Sequence, residues 1–204
     1  MRTITLATMV LALIVAGCGS DDNNGSRASG PEVVAGSFVG TVEGSDAYVA
    51  VVAGPDGDVR AYVTDGGSSV DWLDGFLEGP RDTSARLGND GGAVLEVAFT
   101  GRSVSGAFAR PGEDPRSFTA AAADEPAGLY RAAESFADGD YVAGWIVLPD
   151  GSQRGAIRRY ETPLPPGSVD PTTFTVDTKT FTVPGGVLTP RRVTPSNLGG
   201  AASR

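Results

Sequence analysis

The 204-residue chain has no histidine, one cysteine and one lysine. Without histidine, neither Ser-His-Asp nor Cys-His catalysis can be assembled. The single cysteine, Cys18, closes no intrachain disulfide and makes no thiolate zinc site, so the fold must rest on an ordinary hydrophobic core. Aromatic residues make up only 7% of the chain, against 29 glycines and 14 prolines. That balance describes a thin core interrupted by many turns. Positive charge is scarce as well: the formal charge is −9, which argues against nucleic acid as a partner. The longest apolar stretch, 4–16, has 13 residues, short of the ~20 that a bilayer-spanning helix needs.

That stretch is informative for another reason. Arg2 precedes it, only Thr5 and Thr8 interrupt it, and small residues follow, which is the layout of a secretory signal peptide. Val15-Ala16-Gly17-Cys18 resembles the lipobox of bacterial lipoproteins. The resemblance implies that Cys18 receives a diacylglyceryl group, that cleavage falls before it, and that the new amine is a further acylation site. Two or three acyl chains give stable anchoring, at about 0.8 kcal/mol per buried methylene. The implied location is the extracytoplasmic face of a cell membrane; an ordinary secreted protein with a cysteine beside its cleavage site is the other reading. Removing 17 residues, among them one arginine and no acid, leaves 187 residues with a charge of −10.

After the signal peptide (1–17), the polar, small residues of 18–35 have nothing to bury and are expected to form a disordered tether. Residues 36–194 suit one domain, and 195–204 are expected to trail as a disordered tail. Within the domain the signals are short strands and turns. Tyr48–Ala53 and Val59–Thr64 flank Gly54-Pro55-Asp56-Gly57-Asp58, where Pro and Gly preset the turn dihedrals. A second hairpin joins Ala93–Phe99 to Val104–Arg110, with Leu95, Val97 and Phe99 on one face, and Phe118–Ala123 completes a meander. Tyr141–Leu148 and Arg154–Tyr160 form another hairpin, and Thr173–Val176 and Thr180–Val183 are near copies. Tyr48-Val49-Ala50 with Pro55-Asp56-Gly57 and Arg60 is echoed by Tyr141-Val142-Ala143 with Pro149-Asp150-Gly151 and Arg154, through duplication or chance convergence. The expected fold is all-β, an antiparallel sandwich or small closed barrel of about 8–10 short strands. Ala61-Tyr62-Val63-Thr64-Asp65-Gly66, Gly128-Leu129-Tyr130-Arg131 and Gly144-Trp145-Ile146-Val147-Leu148 resemble phrases of uncharacterised exported actinobacterial proteins. In those a cysteine often stands at the position of Thr64, and the resemblance implies an all-β exported domain without an assigned chemistry.

Two constellations stand out as candidate ligand-binding residues. Asp71, Trp72 and Asp74 fall in an expected loop, where an aromatic face flanked by carboxylates suits a sugar, or the acids suit calcium; a Trp capping one end of the core with solvated acids beside it is the plainer alternative. The calcium-loop pattern D-x-[DN]-x-[DN]-G is absent. Arg154 and Arg158, with Arg159 and with Arg191 and Arg192 as candidates to join them, form the only basic concentration of an acidic domain, and guanidinium forks suit carboxylate or phosphate; a charged, solvated strand edge is the plainer alternative. No nucleophile elbow, Ser-Lys dyad or phosphate loop occurs, and no cofactor or metal is expected. The expectation is a membrane-anchored lipoprotein presenting a non-catalytic β-domain, for binding or structure, to an envelope polymer or envelope protein. A barrel carrying a lipid or small apolar ligand is the alternative, suggested by the small residues Ala107, Ala109, Ala120 and Ala122 taken as facing inward. A carboxylate-dependent hydrolase comes third.

Overall fold

The computed structural model describes residues 34–67, 69–79, 82–159, 162–163, 180–183 and 185–200. The signal peptide, Cys18 and the strand expected at Thr173–Val176 lie outside them. Eight strands follow one another as an up-and-down meander: β1 (Gly36–Val42), β2 (Tyr48–Ala53), β3 (Asp58–Thr64), β4 (Val70–Phe76), β5 (Ser84–Gly88), β6 (Val94–Thr100), β7 (Ser103–Ala109) and β8 (Arg116–Ala122). Pairing of β8 back onto β1 closes them into an antiparallel barrel. The choice between sandwich and barrel is thus decided for the barrel, and closure removes the exposed edges that an open sheet of these strands would present.

Alternation along each strand fills the interior. Phe38 and Val42 of β1, Val49 and Val51 of β2, Leu73 of β4, Leu95, Val97 and Phe99 of β6 and Phe118 of β8 belong to one buried cluster. Val49, Val51, Leu73, Leu87, Leu95 and Val104 retain 0% of their accessible surface. A lumen large enough for a ligand would leave surface on its lining, so these side chains fill the barrel themselves. The small residues read as inward-facing divide accordingly. Ala120 belongs to this cluster and Ala122 packs against it, whereas Ala107 and Ala109 alternate with the core residue Phe108 and so point outward.

Beyond the barrel the chain builds a second antiparallel sheet in the order β12–β11–β10–β9–β15. Its strands are β9 (Gly128–Phe136), β10 (Gly139–Val147), β11 (Gln153–Arg159), β12 (Thr162–Pro163) and β15 (Arg191–Arg192). One face lies on the outside of the barrel: Leu129, Ile146, Val193 and Leu198 share a cluster with Val39, Ala50, Val52, Tyr62 and Val70. The other face carries Tyr130, Tyr141, Ala143, Trp145 and Ile157 and is covered by the hairpin β13 (Phe181–Val183) and β14 (Gly186–Leu188) through Phe181, Val183 and Leu188. The layers are therefore barrel, sheet and hairpin, in that order. Pro195–Gly200, within the segment expected to trail, form a 3-10 helix, and Leu198 is buried because it completes the cluster between barrel and sheet.

The hairpin β2–β3 and the hairpin β10–β11 do share one turn. Gly54 N–H donates to Asp58 O and Leu148 N–H to Ser152 O, while Gly57 and Gly151 take positive φ of 91° and 82°, the region where glycine carries no Cβ penalty. In the second turn the Asp150 carboxylate accepts both the Ser152 N–H at 2.9 Å and its hydroxyl at 2.6 Å. Those two bonds favour the charged form and hold the carboxyl below its ordinary value of 3.8. Because the folded value is the lower one, the contribution of this turn is present above the ordinary value and is lost as pH falls through the folded value. An NMR titration of Asp150 should give a midpoint below 3.8, and Ser152→Ala, which removes the hydroxyl but keeps the N–H bond, should raise it part of the way toward the ordinary value; a midpoint unchanged by that substitution would contradict the assignment.

Candidate functional site

The segment Asp71–Asp74 is strand β4, not a loop, and its alternation separates the two acids. Leu73 points into the barrel core, and Asp71 shares its parity at the barrel mouth. There Arg110 Nε donates to Asp71 Oδ2 at 2.9 Å and Asn89 Nδ2 donates to Oδ1 at 3.2 Å. Asp74 has the opposite parity and stands outside the wall, accepting Arg60 Nε at 2.6 Å on Oδ1. The two carboxylates thus lie on opposite sides of one strand, an arrangement unsuited to a reaction that needs both in one cleft.

Trp72 also points outward. Its ring packs 4.4 Å from that of Tyr62, centroid to centroid, and the Arg131 guanidinium of β9 lies 5.5 Å from its own centroid. The ring is therefore half-buried between barrel and sheet. Gly144 of β10 makes this possible: a Cβ there would stand 2.8 Å from Trp72 Cζ2 and would overlap Tyr62. Complete burial pushes the Tyr62 hydroxyl far above its usual pKa, so it stays protonated.

Arg154 and Arg158 reach the same interface from β11. Arg158 Nη2 donates to the Val70 carbonyl at 2.6 Å, and Arg154 Nη1 to the Asp65 carbonyl at 3.0 Å. The Arg154 guanidinium also stacks 4.9 Å from the Tyr48 ring centroid. Both side chains face the barrel rather than an open edge, and they hold the sheet against the β3–β4 connection. The structure thus brings Trp72 and Asp74 to the outer face of β4 and Arg154 and Arg158 to the joint at its start, and leaves Asp71 apart from them inside the barrel mouth.

Arg131 was missed from the sequence, where nothing distinguished it from any other strand arginine. It sits opposite Arg191 in the β9–β15 register, and like charges directly opposite are unfavourable. Burial, and then the nearby Arg60, push its pKa below that of a free arginine, with Asp74 acting in the other direction. Its cationic form is thus less well compensated than its neighbours'.

Among the described residues no group of three or more acidic, cysteine or histidine side chains is placed to hold a metal ion, and no helix is long and apolar enough to cross a membrane. The fold and this corner together define a closed eight-stranded barrel with a docked second sheet. No family model, curated protein or solved structure matches the chain.

Proposed function

We propose that the protein is a cell-envelope lipoprotein, held by acyl chains on Cys18 and presenting its β-barrel domain as a binding or structural module. The observation that carries this reading is the Val15-Ala16-Gly17-Cys18 sequence after a short apolar run. The geometry is consistent with it. The start of β1 pairs with the end of β2, so the chain enters at the barrel end that carries the turns 54–57 and 101–102. The turns 43–47, 89–93 and 110–115 stand at the opposite rim.

A binding role is supported by side chains left open on the outside of the barrel wall, Asp74 and Phe76, instead of in its interior. A carrier would have the closed barrel it needs, but Val49, Val51, Leu87 and Leu95 already occupy the lumen. Fractionation tests the anchor: the wild-type chain is expected in the membrane fraction, and Cys18→Ala should move nearly all of it to the soluble exported fraction. Retention of the variant in the membrane would overturn the lipoprotein reading.

A further inference from the structure

Along β4, residues Trp72, Asp74 and Phe76 share one outward face, because strand side chains alternate. Phe76 is 67% exposed, the most exposed large hydrophobic side chain among the described residues. Asp74 retains 42% of its side-chain surface, and only its Oδ1 is engaged by Arg60. At the margin of the second sheet, Arg131 and Arg191 stand side by side on the face turned toward the barrel. Arg131 meets the Trp72 ring but no carboxylate within salt-bridge distance, and Arg191 is exposed. On a mature chain of charge −10, this corner brings together two guanidinium groups that have no ion-pair partner among the described residues.

We propose that this corner, Phe76, Trp72 and Asp74 of β4 with Arg131 and Arg191 of the second sheet, binds a short glycan that carries carboxylate or phosphate groups. This deepens the binding-module reading and rests on it. Each part of the corner has a complementary feature on such a ligand. The guanidinium forks match a carboxylate or phosphate. The exposed Phe76 ring offers a flat apolar face to a sugar ring, as aromatic side chains do at recognition surfaces, and the open Asp74 oxygen accepts hydroxyl hydrogens. An acidic peptide matches less well, because it lacks the hydroxyl donors that the open Asp74 oxygen would accept and the flat sugar face that Phe76 would meet. Binding an anion would also compensate Arg131, a partly buried cation that costs free energy when left unpaired.

The test uses the full chain in detergent, titrated calorimetrically with trigalacturonate, phosphorylated maltotriose, maltotriose and hexa-aspartate. One or both anionic sugars should bind, and which of them does so identifies the anionic group; maltotriose should bind at least about tenfold more weakly. Arg131→Gln should reduce the affinity about tenfold, the scale of one charge-assisted hydrogen bond, and Arg191→Gln and Phe76→Ala by several fold each. Arg191 and Phe76 are exposed, so their variants keep the wild-type unfolding transition and report on binding even if Arg131→Gln perturbs the fold. The proposal is overturned if neither anionic sugar binds, if the Arg191 and Phe76 variants bind like wild type, or if hexa-aspartate binds as tightly as the sugars. Fractionation of Cys18→Ala reads anchoring alone, so loss of either result is separable from loss of the other.

Discussion

Gly40→Ala should destabilise the barrel by about 4 kcal/mol, in the upper tail of single substitutions. Gly40 lies on β1 opposite Ala120 of β8, at the seam that closes the barrel. A Cβ there would overlap the Thr119 carbonyl oxygen and stand 2.8 Å from the Ala120 Cα. Both neighbours are main chain held in a ladder, so no rotamer change relieves the clash and the paired backbones must shift locally. Urea unfolding should show a lower midpoint with an unchanged slope, since the native fold exposes no more surface than before. Gly44→Ala is the matched control: Gly44 has a positive φ of 65° but nothing within 4 Å, so only the backbone strain of about 1 kcal/mol should be seen. Equal losses in the two variants would show that crowding at the seam is not what requires glycine.

Trp145→Ala should cost about 3–5 kcal/mol, the range for removing a buried aromatic side chain. The ring lies 4.8 Å from that of Phe181, and its Nε1 donates to Gln153 Oε1 at 3.1 Å. It also fills the space over Gly155, where any Cβ would overlap it. Trp145 therefore joins the second sheet to the β13–β14 hairpin and does not touch the barrel core. Hydrogen exchange should show the loss unevenly: amides of 181–188 and of β10–β11 lose protection first, while the interior strands β2 and β6 keep theirs. A uniform loss across all strands would mean that barrel, sheet and hairpin unfold as one cooperative unit.

The contrast between these positions explains what could be read from the residues. The turn 54–58 was legible because Pro and Gly act locally, and β6 was legible because Leu95, Val97 and Phe99 alternate against exposed Glu96 and Ala98. Strand β4 was not legible. Its inner face ends in Asp71 at the barrel mouth and its outer face carries Trp72 and Asp74, so neither face reads as apolar and the period of two is hidden. The polar residues are tolerated only because Arg60, directly opposite Asp74 on β3, and Arg110, just beyond β7, reach them. Strand β9 was hidden for a related reason: Arg131 interrupts its barrel-facing row after Leu129. For Arg154 and Arg158 the basic concentration was visible but its purpose was not, since their acceptors are main-chain carbonyls that leave no trace in residue type. The closed topology depended on the pairing of β1 with β8, separated by the whole meander, and no local pattern records it.

That use of main-chain acceptors has a consequence for variation of the protein. A joint built on carbonyl oxygens reads the path of the main chain, so it is strict about how many residues lie between Asp65 and Val70. A single insertion or deletion would carry the Asp65 and Val70 carbonyls out of reach of Arg154 and Arg158. The side chains there answer to other demands: Asp65 Oδ1 accepts the Gly67 and Ser69 N–H groups, Gly66 takes a φ of 80°, and Val70 is buried. Comparable chains should therefore agree in the length of this connection.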